Sequence, residues 1–561
     1  VKTALRFVWI FLLLALTFVC RFWNVRDVLL EGHIYFVDGD CYSRMTRAQM
    51  IAEHPGKIVR RQDFENWPQG VTAHTTAPLD YLIVALKGGL DGAFRLLDPK
   101  GSNLLHDQTL DLAGALVSPL LGLAGAIFLA WWLWKFRVPY GWTALLVYAI
   151  SPILVHGTLL GRPDHQSLLM TLITVAIGAE LALAGEGEAA LSLKSERNWG
   201  IVGGIAWGMS LWVSLYEPVI LLAVVLVLWV WLARRRLSSR ARLPGAAVFG
   251  AILLLSLGME GWSVALPNAE VRTYFPNWEK TIGELQHMHL ALLFQWVGWI
   301  VVATPFLLAF AWRQDRRALP LLVLVAVTLL LTIWQARWGY FLGVVFAWTL
   351  PWQMQALRRL VDGFFQRRVG AWHAVLRWCL IWPLFVAGLW PIFQDWDAHL
   401  YQDDLVEQNR ALKRAELVAL RDVAVDGVGA SGGPFLAAWW LSPAVAYWSH
   451  QPSVAGTSHE SLPGIVATAR FFLSPDSAAG AVVLHQRPVR WVIAGDPTQE
   501  IDTSSSLLGE KPPADPLATV IFERPEDGPE YLHEWVGTAG VHRGLRFYRL
   551  FEVDETKVPH E

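Results

Sequence analysis

LDLAGALVSPLLGLAGAIFLAWWLW, residues 110–134, is a run of twenty-five residues whose one charge, Asp111, stands next to its first residue. As an α-helix it rises roughly 37 Å, more than the roughly 30 Å hydrocarbon core of a bilayer. Comparable apolar runs recur at 4–20, 141–156, 167–185, 199–215, 218–233, 243–264, 290–312, 318–334, 338–355 and 371–394, which makes about eleven. The whole chain of 561 residues is 54% apolar and only 17% charged, against about 25% charged in ordinary soluble domains. The expected fold is a polytopic α-helical membrane protein.

Basic residues test that assignment, because short cytoplasmic loops carry the Lys and Arg excess. They fall in alternate loops: Lys2 and Arg6; Lys135 and Arg137; Lys194 and Arg197; Arg234, Arg235, Arg236, Arg240 and Arg242; Arg313, Arg316 and Arg317; Arg358, Arg359, Arg367 and Arg368. The intervening short loops hold Arg162, Arg272, Lys280 and Arg337. Eighteen against four places the N-terminus in the cytoplasm and the C-terminus outside the cell (inner) membrane. The run 4–20 has no small-residue cleavage site after it and reads as an uncleaved first helix. The long loop 21–109 falls outside the charge rule. Its segment 78–94, interrupted by Lys87 and Asp91, reads as lying on the membrane surface.

From about 395 the composition becomes water-soluble. A charged helical stretch, 397–422, precedes β-like runs such as 489–494 and 545–553, broken by Gly and Pro. The chain therefore divides into a transmembrane part, 1–394, and a C-terminal soluble mixed α/β domain, 395–561. No fixed-period repeat is present. The net charge of −2 gives no sign of nucleic-acid binding, and three cysteines, Cys20, Cys41 and Cys379, suggest neither a disulfide framework nor a cysteine zinc site.

The polar clusters with chemical potential all fall in outward-facing loops. The first is Val37-Asp38-Gly39-Asp40-Cys41-Tyr42-Ser43-Arg44; the second is Gly161-Arg162-Pro163-Asp164-His165-Gln166; the third is Thr281-Ile282-Gly283-Glu284-Leu285-Gln286, followed by His287 and His289. Oxygen ligands from separate loops suit Mg²⁺ or Mn²⁺, with water and substrate phosphate completing the shell. Each cluster also has a plainer interpretation. Asp38 and Asp40 read equally as solvated carboxylates, Asp164 as a helix N-cap, and the two histidines as polar interfacial residues.

These loops, in this order, resemble the catalytic subunit of oligosaccharyltransferase, a family of membrane glycosyltransferases of the GT-C class. Asp38 to Arg44 reproduces the family's six-residue interval between an aspartate and an arginine, with Asp40 as the other candidate. Asp164 matches the first ligand of its second acidic motif, and Gln166 stands where a second acid or histidine is usual. Thr281-Ile282-Gly283-Glu284 matches the TIxE motif without a gap, Arg337 matches an arginine that grips the donor pyrophosphate, and Thr76-Ala77-Pro78-Leu79 matches a Pro-containing opening of an interfacial helix. The family's WWDYG motif is met by Trp439-Trp440-Leu441-Ser442-Pro443, which keeps both tryptophans and replaces the aspartate by leucine.

The resemblance implies a GT-C fold of 11 to 13 spans and metal-dependent, inverting transfer of a glycan from a polyprenyl diphosphate to an acceptor, a protein asparagine. It assigns Mg²⁺ or Mn²⁺ to Asp38, Asp40, Asp164, Gln166 and Glu284, and substrate contacts to Arg337, Trp439 and Trp440. Three alternatives remain: a GT-C enzyme using a polyprenyl phosphate sugar with a lipid or polysaccharide acceptor, a transporter of lipid-linked sugars, and a non-catalytic scaffold. Transport would place ionisable groups within the spans, and the spans hold almost none, Glu180 lying near a helix end.

Overall fold

A computed structural model describes residues 2–72, 74–97, 107–185, 192–233, 239–261, 269–365 and 373–559. Every apolar run lies on helix: Lys2–Cys20, Thr109–Lys135, Gly141–Ile150 with Pro152–His156, His165–Leu183, Leu193–Val213, Tyr216–Ala233, Ser239–Glu260, Leu290–Val297 with Ile300–Trp312, Ala318–Trp334, Gly339–Phe365, and His373–Gly388 with Trp390–Leu400. Residues 262–264 and 371–372 of two runs, and the loop arginines Arg234, Arg235, Arg236, Arg367 and Arg368, lie outside the described residues. Four described helices are long and apolar enough to cross a membrane, and a bent pair, Leu290–Val297 with Ile300–Trp312, makes a fifth. Several other runs form shorter apolar helices, among them Gly141–Ile150 and Ala318–Trp334.

The long runs are shorter as helices because three of them break. The run 141–156 breaks at Ser151, where Pro152 starts a new helix; the run 290–312 bends by 62° after Val297; the run 371–394 breaks at Leu389. A backbone group freed by a break must find a partner inside the protein, because lipid offers none. Ser151 Oγ donates to the Trp296 carbonyl at 2.7 Å, and Trp396 Nε1 donates to the Ile150 carbonyl at 2.7 Å. Gly298 takes φ +77°, and a Cβ there would run into the Gly388 carbonyl. The breaks therefore support one another.

Between residues 21 and 97 the helix Gly39–Glu53 packs on the helix Ala77–Leu97, which covers the segment 78–94 and is absent from the described helices fit to cross a membrane. The two are locked by Asp80. Its fully buried carboxylate pairs with Arg44 at 2.7 Å and with Arg47 at 2.9 Å. Asp80→Ala leaves two guanidinium groups buried without their counter-charge, an error worth about 3–5 kcal/mol. The thermal midpoint of that variant in detergent should fall well below the wild-type value, and an unchanged midpoint would contradict the buried lock.

Beyond residue 400, four strands form a mixed sheet in the order Phe435–Leu436, Trp491–Ala494, Arg549–Val553, Leu532–Glu534, the first pair parallel and the others antiparallel. All four residues of Trp491–Ala494 are buried. Successive side chains alternate between faces: Trp491 and Ile493 join a core shared with the external loop and membrane helices, whereas Val492 and Ala494 join a second core with Phe471 and Tyr531. The two β-like runs read from sequence correspond to strands Trp491–Ala494 and Arg549–Val553, with a further short pair Val541–His542 and Leu545–Arg546.

Glu65, between the helices Gly39–Glu53 and Ala77–Leu97 in sequence, is 2% exposed and accepts from Ser458 Oγ at 3.0 Å. Burial pushes its carboxyl up to about 7, opposed by the Ser458 bonds and reinforced by the charges of Glu460 and Asp40. The folded protein then holds a proton that the unfolded chain releases above about pH 4.5. Stability should therefore fall as pH rises from about 4.5 through 7, by roughly 3 kcal/mol, and stay lower above. Glu65→Gln should flatten the thermal midpoint between pH 5 and 8; a parallel fall in both proteins would rule out Glu65 as the source.

Candidate active site

Asp38 has extended backbone and caps the helix Gly39–Glu53, its Oδ1 accepting from Cys41 N at 3.0 Å. Its Oδ2 pairs with Arg162 at 3.0 Å. Gly39 follows because a Cβ there would stand 2.8 Å from Thr457 Cγ2 and 3.6 Å from the Trp440 carbonyl. The C-terminal region thus presses directly on the turn that carries both aspartates. Thr457 Oγ1 lies 3.4 Å from Ser43 Oγ, and the Thr457 side chain beside Asp40 favours its ionised form. Asp40 keeps access to solvent although protein surrounds it, as at the bottom of an open cleft. Burial pushes its carboxyl up to about 7, and the charges of Asp38, Asp164 and Glu284 add to the shift. Those four carboxylates belong to one electrostatic neighbourhood.

Asp164 occupies the N-cap position of His165–Leu183 but makes no side-chain cap bond. The Ser167 hydroxyl instead donates to its backbone carbonyl at 2.8 Å. Its carboxylate faces His165 Nδ1 at 2.6 Å and Arg162 Nη2 at 3.5 Å. Burial alone would raise this carboxyl, but His165, Arg162 and Arg44 outweigh it and hold the group well below the usual carboxylate range. Arg162 therefore bridges Asp38 and Asp164, and is itself within 3.4 Å of His156 Nε2 and 3.5 Å of the Tyr340 hydroxyl. Neither His156 nor Tyr340 was marked by the sequence, since each sits in an apolar run without a motif.

The TIGE segment forms two 3-10 turns, Glu279–Thr281 and Gly283–Leu285. Ala336 N donates to the Gln286 carbonyl at 2.9 Å, which sets Arg337 beside Glu284 at 3.9 Å. Burial raises the Glu284 carboxyl, Arg337 opposes the rise and Asp164 adds to it. Arg337 is anchored from behind by Glu217, fully buried, at 2.8 Å, and Glu217 is steadied by Ser214 Oγ at 2.8 Å. Sequence reasoning missed Glu217; its signal was an acid at the start of an otherwise apolar helix. Trp278, which ends the helix before TIGE, meets Trp439 edge-on with centroids 6.3 Å apart, and Trp439 meets Trp440 at 5.8 Å. Leu441, in place of the acid, is buried.

A cavity of about 470 Å³ adjoins Glu284 and Arg337. Its walls include Pro152, Trp296 and Trp396, residues at or near the three helix breaks, together with Ile153, Leu159 and Leu292. Its lining is largely apolar, with Glu284, Arg337, His156, Asp395 and His399 as its ionisable members.

Does this cleft suit a divalent cation? Gln166 is fully buried, and its Oε1 has no hydrogen-bond partner. An orphaned carbonyl oxygen and four mutually repelling carboxylates are a donor set for a hard, oxygen-seeking ion. The ligand atoms nevertheless do not form a closed set: among the described residues only His74, His459 and Glu460 bring three such atoms within 4.8 Å. In the cleft, Arg162 and His165 meet part of the charge demand. His287 and His289 are exposed and belong to no such group among the described residues.

No protein-family model and no curated protein matches this chain in sequence. Solved structures match its fold. The oligosaccharyltransferase AglB from Archaeoglobus fulgidus, in complex with an inhibitory peptide and a dolichol-phosphate, superposes with a TM-score of 0.67 at 14% identity, over 100% of this chain and 75% of AglB. The same enzyme with zinc and sulfate gives 0.59 at 13% identity, over 98% and 74%. ArnT from Cupriavidus metallidurans, bound to undecaprenyl phosphate, gives 0.52 at 12% identity over the full length of both chains. The fold is that of these GT-C membrane proteins.

Proposed function

We propose that the chain is a GT-C glycosyltransferase that moves a glycan from a polyprenyl diphosphate to an acceptor, a protein asparagine, on the outer face of the cell (inner) membrane. The N-terminus is cytoplasmic and the region 395–561 extracytoplasmic, as the loop charges suggest. One observation carries this reading: carboxylates from three separate loops act on one another electrostatically, and one of them, Glu284, lines a largely apolar cavity together with Arg337. That combination suits a lipid tail, a phosphate group and a sugar at once. Likeness to proteins solved with lipid phosphates supports it.

The roles follow from the positions. The cavity takes the first isoprene units, and Arg337, held by Glu217, offers its guanidinium to the phosphates at a fixed place, so little reorganisation is needed when charge develops on the leaving oxygen. Asp38, Asp40, Asp164 and Glu284, with Gln166 as a neutral oxygen, would hold Mg²⁺ or Mn²⁺, which would supply Lewis-acid stabilisation of that leaving group. Glu284 orients the acceptor amide, and Trp439 and Trp440 form one wall for the acceptor beside Asp40. Attack from the side opposite the pyrophosphate inverts the anomeric carbon.

The buried Leu441 favours a second reading. A leucine accepts no hydrogen bond, so the hydroxyl of an Asn-x-Ser/Thr acceptor finds no partner there; a lipid or polysaccharide acceptor, with a polyprenyl phosphate sugar as donor, needs none. Supplying the purified protein with matched diphosphate and monophosphate donors separates the two. Turnover of the diphosphate alone supports oligosaccharyl transfer, and turnover of the monophosphate alone overturns it.

A further inference from the structure

A second group of metal-ligating side chains shares no residue with the acidic cleft. His74 stands three residues before the helix Ala77–Leu97, and His459 and Glu460 open the 3-10 turn His459–Ser461 in the C-terminal region. His74 Nδ1 is 3.1 and 3.2 Å from the two Glu460 oxygens, and the His74 backbone N–H donates to Oε1 at 3.1 Å. His459 Nε2 is 3.2 Å from the same Oε1. The imidazoles stack with centroids 4.6 Å apart and planes 27° apart. One ligand atom from each residue falls within 4.8 Å of the others. Two ring nitrogens and a carboxylate oxygen thus converge on one point.

The surroundings hold this geometry in place. Ser458, next to His459, is fixed by its bond to the buried Glu65, and the Phe275 ring meets His459 edge-on at 6.4 Å. The histidine side chains remain 57% and 42% exposed, so an ion reaches them from solvent without opening the fold. Two imidazoles and one carboxylate form a donor set for Zn²⁺, whose tetrahedron is completed by water; Mg²⁺ and Ca²⁺ prefer oxygen alone.

We infer that His74, His459 and Glu460 form a Zn²⁺ site that fastens the segment leading into the Ala77–Leu97 helix to the C-terminal region. The ion replaces the imidazole–carboxylate hydrogen bonds with three coordinate bonds and closes a loop of nearly four hundred residues. The site shares no residue with the acidic cleft, and it stands whichever acceptor the enzyme uses.

The test is Zn²⁺ binding by full-length protein in detergent, stripped with chelator and reloaded, with the bound metal counted by elemental analysis. His74→Ala, His459→Ala and Glu460→Gln are compared with Asp164→Ala. The expected result is one zinc equivalent fewer in each histidine variant than in the wild type, whatever ion the acidic cleft takes besides, and that same equivalent kept in Asp164→Ala, with affinity at the site reduced in the histidine variants by more than the roughly 10- to 100-fold that removal of an outer hydrogen-bond partner costs. Glu460→Gln should weaken binding in the same direction. Co²⁺ in place of Zn²⁺ gives an independent readout: intense tetrahedral absorption bands in the wild type, absent from both histidine variants. Unchanged stoichiometry and Co²⁺ spectra in those variants, or loss of the histidine-dependent equivalent in Asp164→Ala, would overturn the assignment.

Discussion

Asp164→Ala lowers kcat for glycan transfer by roughly a thousandfold, the scale of removing a main source of charge stabilisation from the reacting centre, while the protein still inserts and folds. The second half of that expectation rests on local structure. Asp164 fills a cap position without making a cap bond, and Arg162 keeps Asp38 as a partner at 3.0 Å after the change. The helix His165–Leu183 therefore loses no capping interaction. Glu284→Ala should behave alike, since Glu284 sits on a short 3-10 turn that its side chain does not build. Gel filtration and circular dichroism check the fold, and single-turnover kinetics check the chemistry. Retained activity in both variants would remove the acidic cleft from the mechanism.

Arg337→Gln has two effects that must be separated. It withdraws the positive charge proposed to hold the donor phosphates, which should raise the donor KM by about 10- to 100-fold, the scale of one charge-assisted pair. It also strands the fully buried Glu217, an uncompensated charge that costs about 3–5 kcal/mol. The double variant Arg337→Gln/Glu217→Gln leaves no unpaired charge and should recover most of the thermal midpoint. It should not recover donor affinity. If the double variant regained the wild-type KM, Arg337 would be a structural counter-ion for Glu217 and nothing more.

Sequence and structure agree where burial follows simple periodicity. Residues 110–134 are a long unbroken helix, Thr109–Lys135, as their apolarity predicts. The helix breaks were hidden, because Ser151, Gly298 and Leu389 sit inside runs that hydropathy treats as continuous. Pro152 and Gly298 mark two of the breaks locally, but what satisfies the carbonyls freed there is a set of distant partners, such as Trp396 Nε1 on the Ile150 carbonyl, and a sequence read locally cannot show a partner two hundred residues away. The largely apolar cavity, built from those breaks, was hidden for the same reason.

The site was partly legible. Asp38, Asp40, Asp164 and Glu284 stood out as carboxylates in outward loops, and the structure gathers them in one electrostatic neighbourhood. Their coupling was not visible. Arg162 was only one of four basic residues in the short outward loops, yet it bridges two of the acids, and Arg44, noted for its interval from Asp38, turns out to grip Asp80. His74 carried no motif at all, because its partners lie 385 and 386 residues further along the chain.

One assay decides whether the protein transfers glycan from a lipid diphosphate to an asparagine. Purified protein is given a polyprenyl diphosphate glycan and an Asn-x-Thr peptide, first with Mn²⁺ and then with EDTA. Glycopeptide should form with Mn²⁺ and disappear with EDTA. Absence of glycopeptide under both conditions, from protein that consumes the donor with another acceptor, would contradict such transfer.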